Sequence, residues 1–341
     1  MVSARQLAAF AFLLTASVLF AIPAGSQTGL LFDKVYLGHL AGETGHPERP
    51  ERLIAIRDGL EKAGLLKTLS PIAPRRVTDS ELTLVHNASY VALVRRELSN
   101  LRGLGELSTG DTMISPGSLE AAEFAAGGVL NVVDAVMSGK VRNAFAAVRP
   151  PGHHATPDRG MGFCIFNNVA IAARYLQKKH GIRRVLIVDW DYHHGNGTQD
   201  VFYNDGSVFY FSTHHYGAYP GTGSMQETGA GPGAGKILNV PMPPGAGDAQ
   251  FLQAFEAQLV PAVRSFKPDF ILISAGFDGM SRDLLGQFDI TPKGYAALTR
   301  VVVKLADEFS HARLVSVLEG GYRLDGLAES VVVHVKALQA Q

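Results

Sequence analysis

Seven apolar runs, separated by stretches with helical patterns, restrict the fold more than any other feature of this sequence. Most of the runs are apolar throughout and do not alternate with polar residues, which indicates strands that are buried on both faces. Strands that alternate with helices predict a mostly parallel sheet covered by helices on both sides. The candidate strands are residues 30–37, 144–148, 185–190, 207–212, 236–242, 269–275 and 313–319.

Local signals locate several helices and one long loop between these strands. A capping box at residues 78–81 predicts the start of a helix, and the Thr-Pro pair at 291–292 predicts another. The Ala-rich stretch 118–139 predicts a long helix, in which the paired glycines at 127–128 allow close packing. The Gly/Pro-rich segment 217–235 is predicted to be a loop. Loops of this length in a compact domain are usually functional.

The composition narrows the possible functions. The chain has 341 residues, which suits one large α/β domain. Charged residues make up 18% of the chain and the formal net charge is zero, so no electrostatic attraction to nucleic acid or an anionic membrane is expected. Cys164 is the only cysteine, so no internal disulfide can form. We expect Cys164 to be a small buried residue and not a nucleophile.

The N-terminus has the pattern of an export signal. Arg5 precedes an apolar run over residues 7–22, and small residues follow up to Ser26. The run is shorter than the ~20 residues of a membrane-spanning helix, although an uncleaved anchor is the alternative. We therefore predict a signal peptide or N-terminal anchor over residues 1–27 and a folded domain over 28–341. The protein is accordingly expected to be exported, as a periplasmic or secreted protein, or to be membrane-anchored.

Polar residues follow four of the predicted strands. In open α/β sheets, ligands bind beyond the carboxyl ends of the strands, so these four segments are expected to converge. The alternative is that they are helix caps and solvated loop residues, which explains any one segment better than all four together. The segments are RPPGHHA at 149–155, DYHHGNG at 191–197, GFDG at 276–279 and GGYR at 320–323.

Two of these segments have the residue types and spacing of a metal site. Asp191 and His193 are two residues apart, which places both side chains on one face of an extended chain. Asp278 is positioned to add a third ligand from a neighbouring strand. Three ligands with nitrogen and oxygen donors leave one position open, which is the pattern of catalytic rather than structural Zn²⁺.

Seven motifs extend this interpretation to roughly residues 30–335. They are GHPERPERL at 45–53, RPPGHHA at 149–155, GFCIFNN at 162–168, DWDYHHGNG at 189–197, PGTG at 220–223, GFD at 276–278 and EGGY at 319–322. In type and order they resemble the histone deacetylase and acetylpolyamine amidohydrolase family, closest to its class II and bacterial members. The resemblance implies the arginase/deacetylase fold, a single α/β domain whose central, mostly parallel sheet of about eight strands is flanked by helices. It also implies zinc-dependent amide hydrolysis by a catalytic domain over residues 28–341.

The resemblance assigns catalytic roles to individual residues. His153 and His154 match the paired catalytic histidines, and Tyr322 matches the tyrosine that stabilises the oxyanion. Asp189 is implied to orient His153, and Asn196 to orient His154. Because a neutral amide favours a charged imidazole less than a carboxylate does, we predict that His154 is the neutral base. The zinc ligands implied by the resemblance are Asp191, His193 and Asp278.

Other matched residues concern the substrate tunnel. Phe163 and Tyr219 match its aromatic walls, and Gly162 matches the small residue beside them. Leu285 occupies the position at which polyamine-selective relatives carry an acidic gatekeeper. A leucine does not attract a cationic polyamine, which favours an acyl-lysine side chain of a peptide or protein.

Further matched residues lie behind the metal. Asp189 and Ser212 match side chains at a monovalent-cation site that usually holds K⁺. Arg49 matches the arginine near an internal cavity for acetate release. His194 is predicted to be structural and packed beside the metal-binding loop. His334 is predicted to lie at the surface, as are His180 and His311.

Three functions remain open from the sequence. The leading one is a zinc-dependent protein or peptide lysine deacetylase. The second is a deacetylase of small acetylated amines such as acetylpolyamines, and the third is a non-catalytic acyl-lysine binding protein on the same fold. The expected cofactors are Zn²⁺ and K⁺. The expected partners are acetylated lysine side chains or small acetylated amines, with no direct nucleic-acid partner and no membrane contact beyond the possible N-terminal anchor.

Overall fold

A parallel sheet of eight strands forms the centre of the structure, which is a computed structural model describing residues 27–340. The strands are β1 (Thr28–Leu31), β2 (Ser70–Ile72), β3 (Asn143–Ala146), β4 (Val185–Asp189), β5 (Val208–His215), β6 (Ile237–Met242), β7 (Phe270–Ala275) and β8 (Leu314–Leu318). Every pair of neighbouring strands in the sheet is parallel, and the spatial order is β2-β1-β3-β8-β7-β4-β5-β6. The predicted α/β class and eight-stranded sheet are confirmed.

Helices cover the sheet and connect its strands. A π-helical turn, Phe255–Leu259, joins two of the helices, and short 3₁₀ segments occupy Lys34–Gly38, Leu65–Lys67 and Gly231–Gly233. The helices are α1 (Glu51–Lys62), α2 (Asp79–Leu82), α3 (Ala88–Ser99), α4 (Ser118–Met137), α5 (Asn168–His180), α6 (Asn196–Phe202), α7 (Asp248–Ala254), α8 (Val260–Phe266), α9 (Pro292–Phe309) and α10 (Leu324–Gln339).

The long helix α4 packs closely against neighbouring segments of the chain, as its paired glycines predict. A Cβ atom added at Gly127 would lie 2.3 Å from the carbonyl oxygen of Arg75. One added at Gly128 would lie 2.6 Å from the hydroxyl oxygen of Tyr36 and 2.8 Å from Leu31. Any side chain at these positions would therefore push the helix away from its neighbours.

The predicted strand over residues 30–37 is correct only at residues 30 and 31. Strand β1 ends at Leu31, and a 3₁₀ helix starts at Lys34 because the Asp33 side chain accepts a hydrogen bond from the Val35 amide at 2.8 Å. Strand β2 was not predicted. It is three residues long and contains Pro71, which a sheet tolerates at an edge because no ladder bond is needed there.

The prediction of a surface position for His334 is also wrong. His334 lies on the inward face of α10 and is fully buried. Its Nδ1 atom lies 2.7 Å from the Thr299 hydroxyl and its Nε2 atom 2.9 Å from the Ser316 hydroxyl. Both ring nitrogens thus have partners, which makes burial of this imidazole acceptable.

The signal peptide or anchor predicted for residues 1–27 lies outside the described residues, apart from its last residue. Within residues 27–340, no helix combines the length and the apolar character needed to cross a membrane.

The strand order determines where the polar segments meet. Strands β3, β8, β7 and β4 are consecutive neighbours in the middle of the sheet, and all of their residues are buried. Because the four strands are parallel, the segments that follow them emerge at one edge. The convergence predicted from the sequence therefore follows directly from the topology.

Candidate active site

Asp191, His193 and Asp278 come together at this edge. One ligand atom from each lies within 4.8 Å of those from the other two. His193 Nδ1 is 3.2 Å from Asp191 Oδ1 and 3.1 Å from Asp278 Oδ2. The first two residues follow β4 and the third follows β7, its neighbour in the sheet. These are the three residues that the sequence pattern predicts to converge.

The residues of this cluster suit a divalent cation. Both carboxylates are fully buried, and burial together with the charge of Asp191 raises the pKa of Asp278. Two buried carboxylates this close together repel each other, and a bound cation removes that repulsion. The backbone approaches closely at Gly276 and Gly320, where an added Cβ would lie 2.1 Å from Asp191 Oδ2 and 2.3 Å from Asp278 Oδ2, respectively. Two carboxylates and an imidazole form a donor set that Zn²⁺ accepts.

Two histidines stand beside the cluster, and each has a different partner. The ring centroids of His153 and His154 are 4.0 Å apart. His153 Nδ1 lies 3.1 Å from Asp189 Oδ2, whereas His154 Nδ1 lies 2.9 Å from Asn196 Oδ1. Both contacts expected from the resemblance are present.

The surroundings of the two histidines shift their pKa values in opposite directions. Burial disfavours the charged form of His153, but the carboxylates of Asp191 and Asp189 outweigh it and raise the pKa of His153 to about 10. Burial, followed by the positive charges of His153 and His193, holds the pKa of His154 well below its usual value. These directions favour an imidazolium at His153 and a neutral imidazole at His154.

Tyr322 approaches the same site from the segment after β8. Its backbone N–H donates to Asp283 Oδ2 at 2.8 Å, and the preceding Gly321 has a φ of 117°, a conformation that favours glycine. Burial and the nearby charge of Asp278 raise the pKa of the Tyr322 hydroxyl well above its usual value. The hydroxyl group therefore stays protonated and available as a donor.

A cavity of about 490 Å³ leads to these groups. Phe163 and Tyr219 line it, and the Tyr219 ring meets His154 edge-on with centroids 5.1 Å apart. Gly162 lies between them with a φ of 57°, and an added Cβ would lie 2.3 Å from the His154 ring and 2.8 Å from Tyr219. Leu285 lines the cavity and is 38% exposed, so it lies at the mouth.

Comparison with known proteins identifies the family. A histone deacetylase domain matches residues 46–338. The chain belongs to the histone deacetylase family. A probable deacetylase of Archaeoglobus fulgidus is 41% identical over 301 residues, which cover 88% of this chain and 82% of that protein. The crystal structure of the HDA15 HD domain is 40% identical, with a TM-score of 0.88 over 93% of this chain and 89% of that one.

A human relative bears a more specific name. The polyamine deacetylase HDAC10 of Homo sapiens is 42% identical over 304 residues. The match covers 85% of this chain but only 44% of the human protein. This histone deacetylase family member thus spans less than half of the length of that relative.

Sequence reasoning missed Asp111, which connects the two sides of the deacetylase cavity. Its Oδ1 atom accepts hydrogen bonds from the Gly162 amide at 2.8 Å and from the Tyr219 hydroxyl at 3.2 Å. Asp111 lies in the turn between two short antiparallel strands, Gly105–Glu106 and Met113–Ile114. No spacing or motif in that turn distinguishes it from an ordinary solvated aspartate.

Glu319 was also missed as a site residue, although it begins the EGGY motif. Its Oε2 atom accepts hydrogen bonds from the amides of Gly152, at 2.7 Å, and His153, at 3.2 Å. Its Oε1 atom accepts one from the Ser274 hydroxyl at 2.9 Å. Burial raises the pKa of the Glu319 carboxyl group to about 7. Through its hydrogen bonds, this group connects the segment that contains His153 to the end of β8.

The position of Arg49 near an internal cavity stays a prediction. Arg49 precedes α1 and is only half-buried, whereas Arg52 lies on the inward face of that helix and is fully buried. Arg52 donates to the carbonyl groups of Glu319 and Gly321, both at 2.6 Å, and to Glu48 Oε1 at 2.9 Å. Its guanidinium carbon lies 5.0 Å from the centroid of the Tyr322 ring. Arg52 is therefore the arginine that supports the deacetylase site from behind.

His194 has the buried structural position that the sequence predicts. Its Nδ1 atom lies 2.7 Å from the Thr222 hydroxyl, and its Nε2 atom 3.1 Å from Gln199 Oε1. Thr222 is three residues after Tyr219, in the loop that forms one wall of the cavity. His194 thus joins the metal-binding segment to that loop.

The two residues predicted for a monovalent cation are adjacent. Asp189 and Ser212 are paired in register on β4 and β5, and both are buried. The Ser212 hydroxyl lies 2.9 Å from His214 Nδ1. The K⁺ site itself stays a prediction.

Proposed function

We propose that this histone deacetylase family member hydrolyses acyl-lysine amides with the help of zinc. The observation that carries the proposal is the convergence of Asp191, His193 and Asp278 beside the two histidines, at the inner end of a cavity with aromatic walls. These three residues would hold the ion. Zinc in such a site polarises the amide carbonyl and makes a bound water more acidic.

The two histidines and Tyr322 have separate roles in the proposed reaction. Because His154 donates through Nδ1 to Asn196, its Nε2 atom carries the lone pair and is able to take the proton of the attacking water. The protonated His154 returns a proton to the leaving amine. His153 stays cationic and stabilises negative charge, and the Tyr322 hydroxyl donates to the developing oxyanion.

We also propose a structural K⁺ at Asp189 and Ser212, behind the zinc site. Asp189 serves both the cation and His153, so the ion would help to keep this carboxylate charged and oriented. Loss of activity in potassium-free and sodium-free buffer, restored by KCl, supports the site. Full activity without either cation contradicts it.

Peptide or protein acyl-lysine is the substrate class that we favour. Leu285 at the cavity mouth offers an apolar contact where a polyamine substrate needs a carboxylate. The similarity to a relative named a polyamine deacetylase keeps small acetylated amines as the second candidate.

One experiment separates the three functions. The purified protein is incubated with acetyl-lysine peptides and with acetylpolyamines, before and after removal of metal by a chelator. We expect hydrolysis of the peptides that is lost with the metal and restored by zinc. Faster hydrolysis of the polyamines indicates the second candidate, and binding without hydrolysis indicates the third. Activity that survives complete zinc removal contradicts the metal mechanism.

We further propose that residues 1–27 direct export or anchor the protein in a membrane. The support is the basic residue, apolar run and small residues of that segment. N-terminal sequencing of the cell fractions tests this. A chain that starts near Ser26 supports cleavage, and an intact chain in the membrane fraction supports an anchor. An intact chain in the cytosol contradicts both.

A further inference from the structure

Among residues 27–340, the large exposed apolar side chains are concentrated around the cavity mouth. Six large apolar residues are exposed within residues 27–340, and five of them belong to two segments that flank the cavity. Exposed apolar patches on soluble proteins commonly mark interaction sites. The five are Tyr216, Tyr219, Met225, Leu284 and Leu285, with exposed fractions of 62%, 37%, 62%, 62% and 38%.

A second cavity, of about 550 Å³, lies next to the candidate active site. We call it the proline groove. Among the residues that the structure describes, no charged side chain lines this groove. Its two polar lining residues are Ser224 and Gln226. Its apolar lining residues are Tyr216, Met225, Pro241, Met242, Pro243 and Pro244.

The proline groove and the active-site cavity share one short piece of chain. His215 and Gly217 line the active-site cavity, whereas Tyr216 between them lines the groove. His215 is paired with Met242 of the groove in the parallel ladder of β5 and β6. Neighbouring strands are about 4.8 Å apart, so the backbones of these two lining residues lie side by side.

That spacing suits one side chain of a peptide next to the acyl-lysine. An extended peptide advances about 3.3 Å per residue, so we expect a side chain one or two residues from the acyl-lysine to lie near the groove. The three prolines restrict the backbone of the groove, so little ordering is needed on binding. Met225 adds a flexible apolar wall that adapts to different side chains.

We infer that the proline groove binds an apolar side chain that flanks the acyl-lysine of a peptide or protein substrate. This inference rests on the proposed function and extends it to the sequence around the modified lysine. The absence of charge in the described lining of the groove favours an apolar side chain over the ammonium groups of a polyamine. A second copy of this chain is the competing occupant.

Matched peptides test the inference. Each contains one acetyl-lysine and differs only in carrying leucine, serine or aspartate one or two residues away. We expect kcat/KM to be about ten-fold higher for the leucine peptide than for the aspartate peptide, with serine between them, since partial burial of one apolar side chain gives an effect of this size. Equal rates for the three peptides overturn the inference.

Variants locate the preference. We expect Tyr216→Ser and Met225→Ser to lower the ratio of kcat/KM between the leucine and serine peptides towards one. Leu104→Ser is the matched control, because Leu104 is 53% exposed and lines neither cavity. This control should keep both the ratio and the activity. A ratio unchanged in the two groove variants overturns the inference.

Two further measurements separate this inference from its alternatives. Fluorescence anisotropy with labelled acetyl-lysine peptides measures the same preference without turnover. If no substrate is hydrolysed but the leucine peptide still binds more tightly, the proposed function fails and the peptide preference stands. Analytical ultracentrifugation of wild type and the groove variants detects self-association. A dimer lost in the variants, without any change in peptide preference, overturns the inference in favour of a second copy.

Discussion

His154 donates a hydrogen bond from Nδ1 to Oδ1 of Asn196 across 2.9 Å, and both residues are buried. Burial and the positive charges of His153 and His193 lower the pKa of His154, whereas the carboxylates of Asp191 and Asp189 raise the pKa of His153. The neutral amide of Asn196 adds no negative charge beside His154, so we expect the two neighbouring imidazoles to differ as a base and a cation.

The variant Asn196→Asp tests this division. A carboxylate beside His154 favours its charged form and raises its pKa. Because the base acts only when neutral, more of it is protonated and inactive at a given low pH. The acidic limb of the kcat/KM profile should therefore move to higher pH. An unchanged profile, in protein with normal zinc content, contradicts the assignment of His154 as the base.

The variant Tyr322→Phe tests the oxyanion donor. We expect kcat to fall about 10²–10³-fold, the usual cost of losing one such donor, with a much smaller change in KM. The phenyl ring keeps the contact with Arg52, so the melting temperature should stay close to that of the wild type. A variant with normal folding and full kcat would show that Tyr322 does not contact the reacting atoms.

Metal removal should affect stability as well as activity. A ligand that binds only the folded state stabilises it, by about 2.7 kcal/mol when its concentration is 100 times its dissociation constant. We therefore expect chelation to abolish hydrolysis and to lower the melting temperature, and zinc to restore both. Asp278→Asn should bind less zinc in elemental analysis and respond less to the chelator. A melting temperature that the chelator does not change argues against a tightly bound ion.

Arg52 and Arg49 form a matched pair for a stability test. Arg52→Met removes one of the guanidinium groups that contact the buried Glu48 carboxylate, and leaves two carbonyl groups without their donors. Breaking a buried pair in this way costs about 3–5 kcal/mol of unfolding free energy. Arg49→Met should cost about 1 kcal/mol or less. Urea denaturation of both variants measures the difference, and similar losses would refute the assignment of Arg52.

Thr222 offers a test of the link between His194 and the cavity wall. Thr222→Val keeps the shape of the side chain but leaves His194 Nδ1 without its partner, which costs about 1–3 kcal/mol. Because Tyr219 is on the same loop, we expect KM to rise severalfold with a smaller effect on kcat. Thr222→Ser, which restores the hydroxyl, should recover both KM and stability. If serine and valine behave alike, the hydrogen bond is not what positions the loop.

The central strands and the metal cluster could be predicted from the sequence for physical reasons. Strands buried on both faces must be apolar throughout. The segments that follow parallel strands must leave the sheet at the same edge. Asp191 and His193 are close in sequence, and Asp278 lies at the same edge of the sheet. The strand topology alone therefore predicts that the three side chains lie close together. The paired glycines of α4 were equally informative, because only close packing explains them well.

Other features depend on contacts that the sequence does not encode locally. Asp111 is 51 residues from Gly162 and 108 from Tyr219, and only the folded chain brings them together. Arg49 and Arg52 are both basic residues of one motif, but only Arg52 lies in α1, on the face that is buried. His334 looked like a surface residue because its partners, Thr299 and Ser316, are supplied by other elements.

The strand topology also has a consequence for how this protein can change. The metal cluster, both histidines and Tyr322 follow directly after four adjacent central strands, whereas Leu285 and the proline groove belong to loops and an edge strand farther out. Exchanging the segments 216–221 and 284–287 with those of another family member, while keeping Thr222 and Asp283, should therefore alter which substrates bind and leave the catalytic groups in place. In such a fold, the sequence of the loops around the cavity mouth is free to change, whereas the segments that hold the catalytic groups are not.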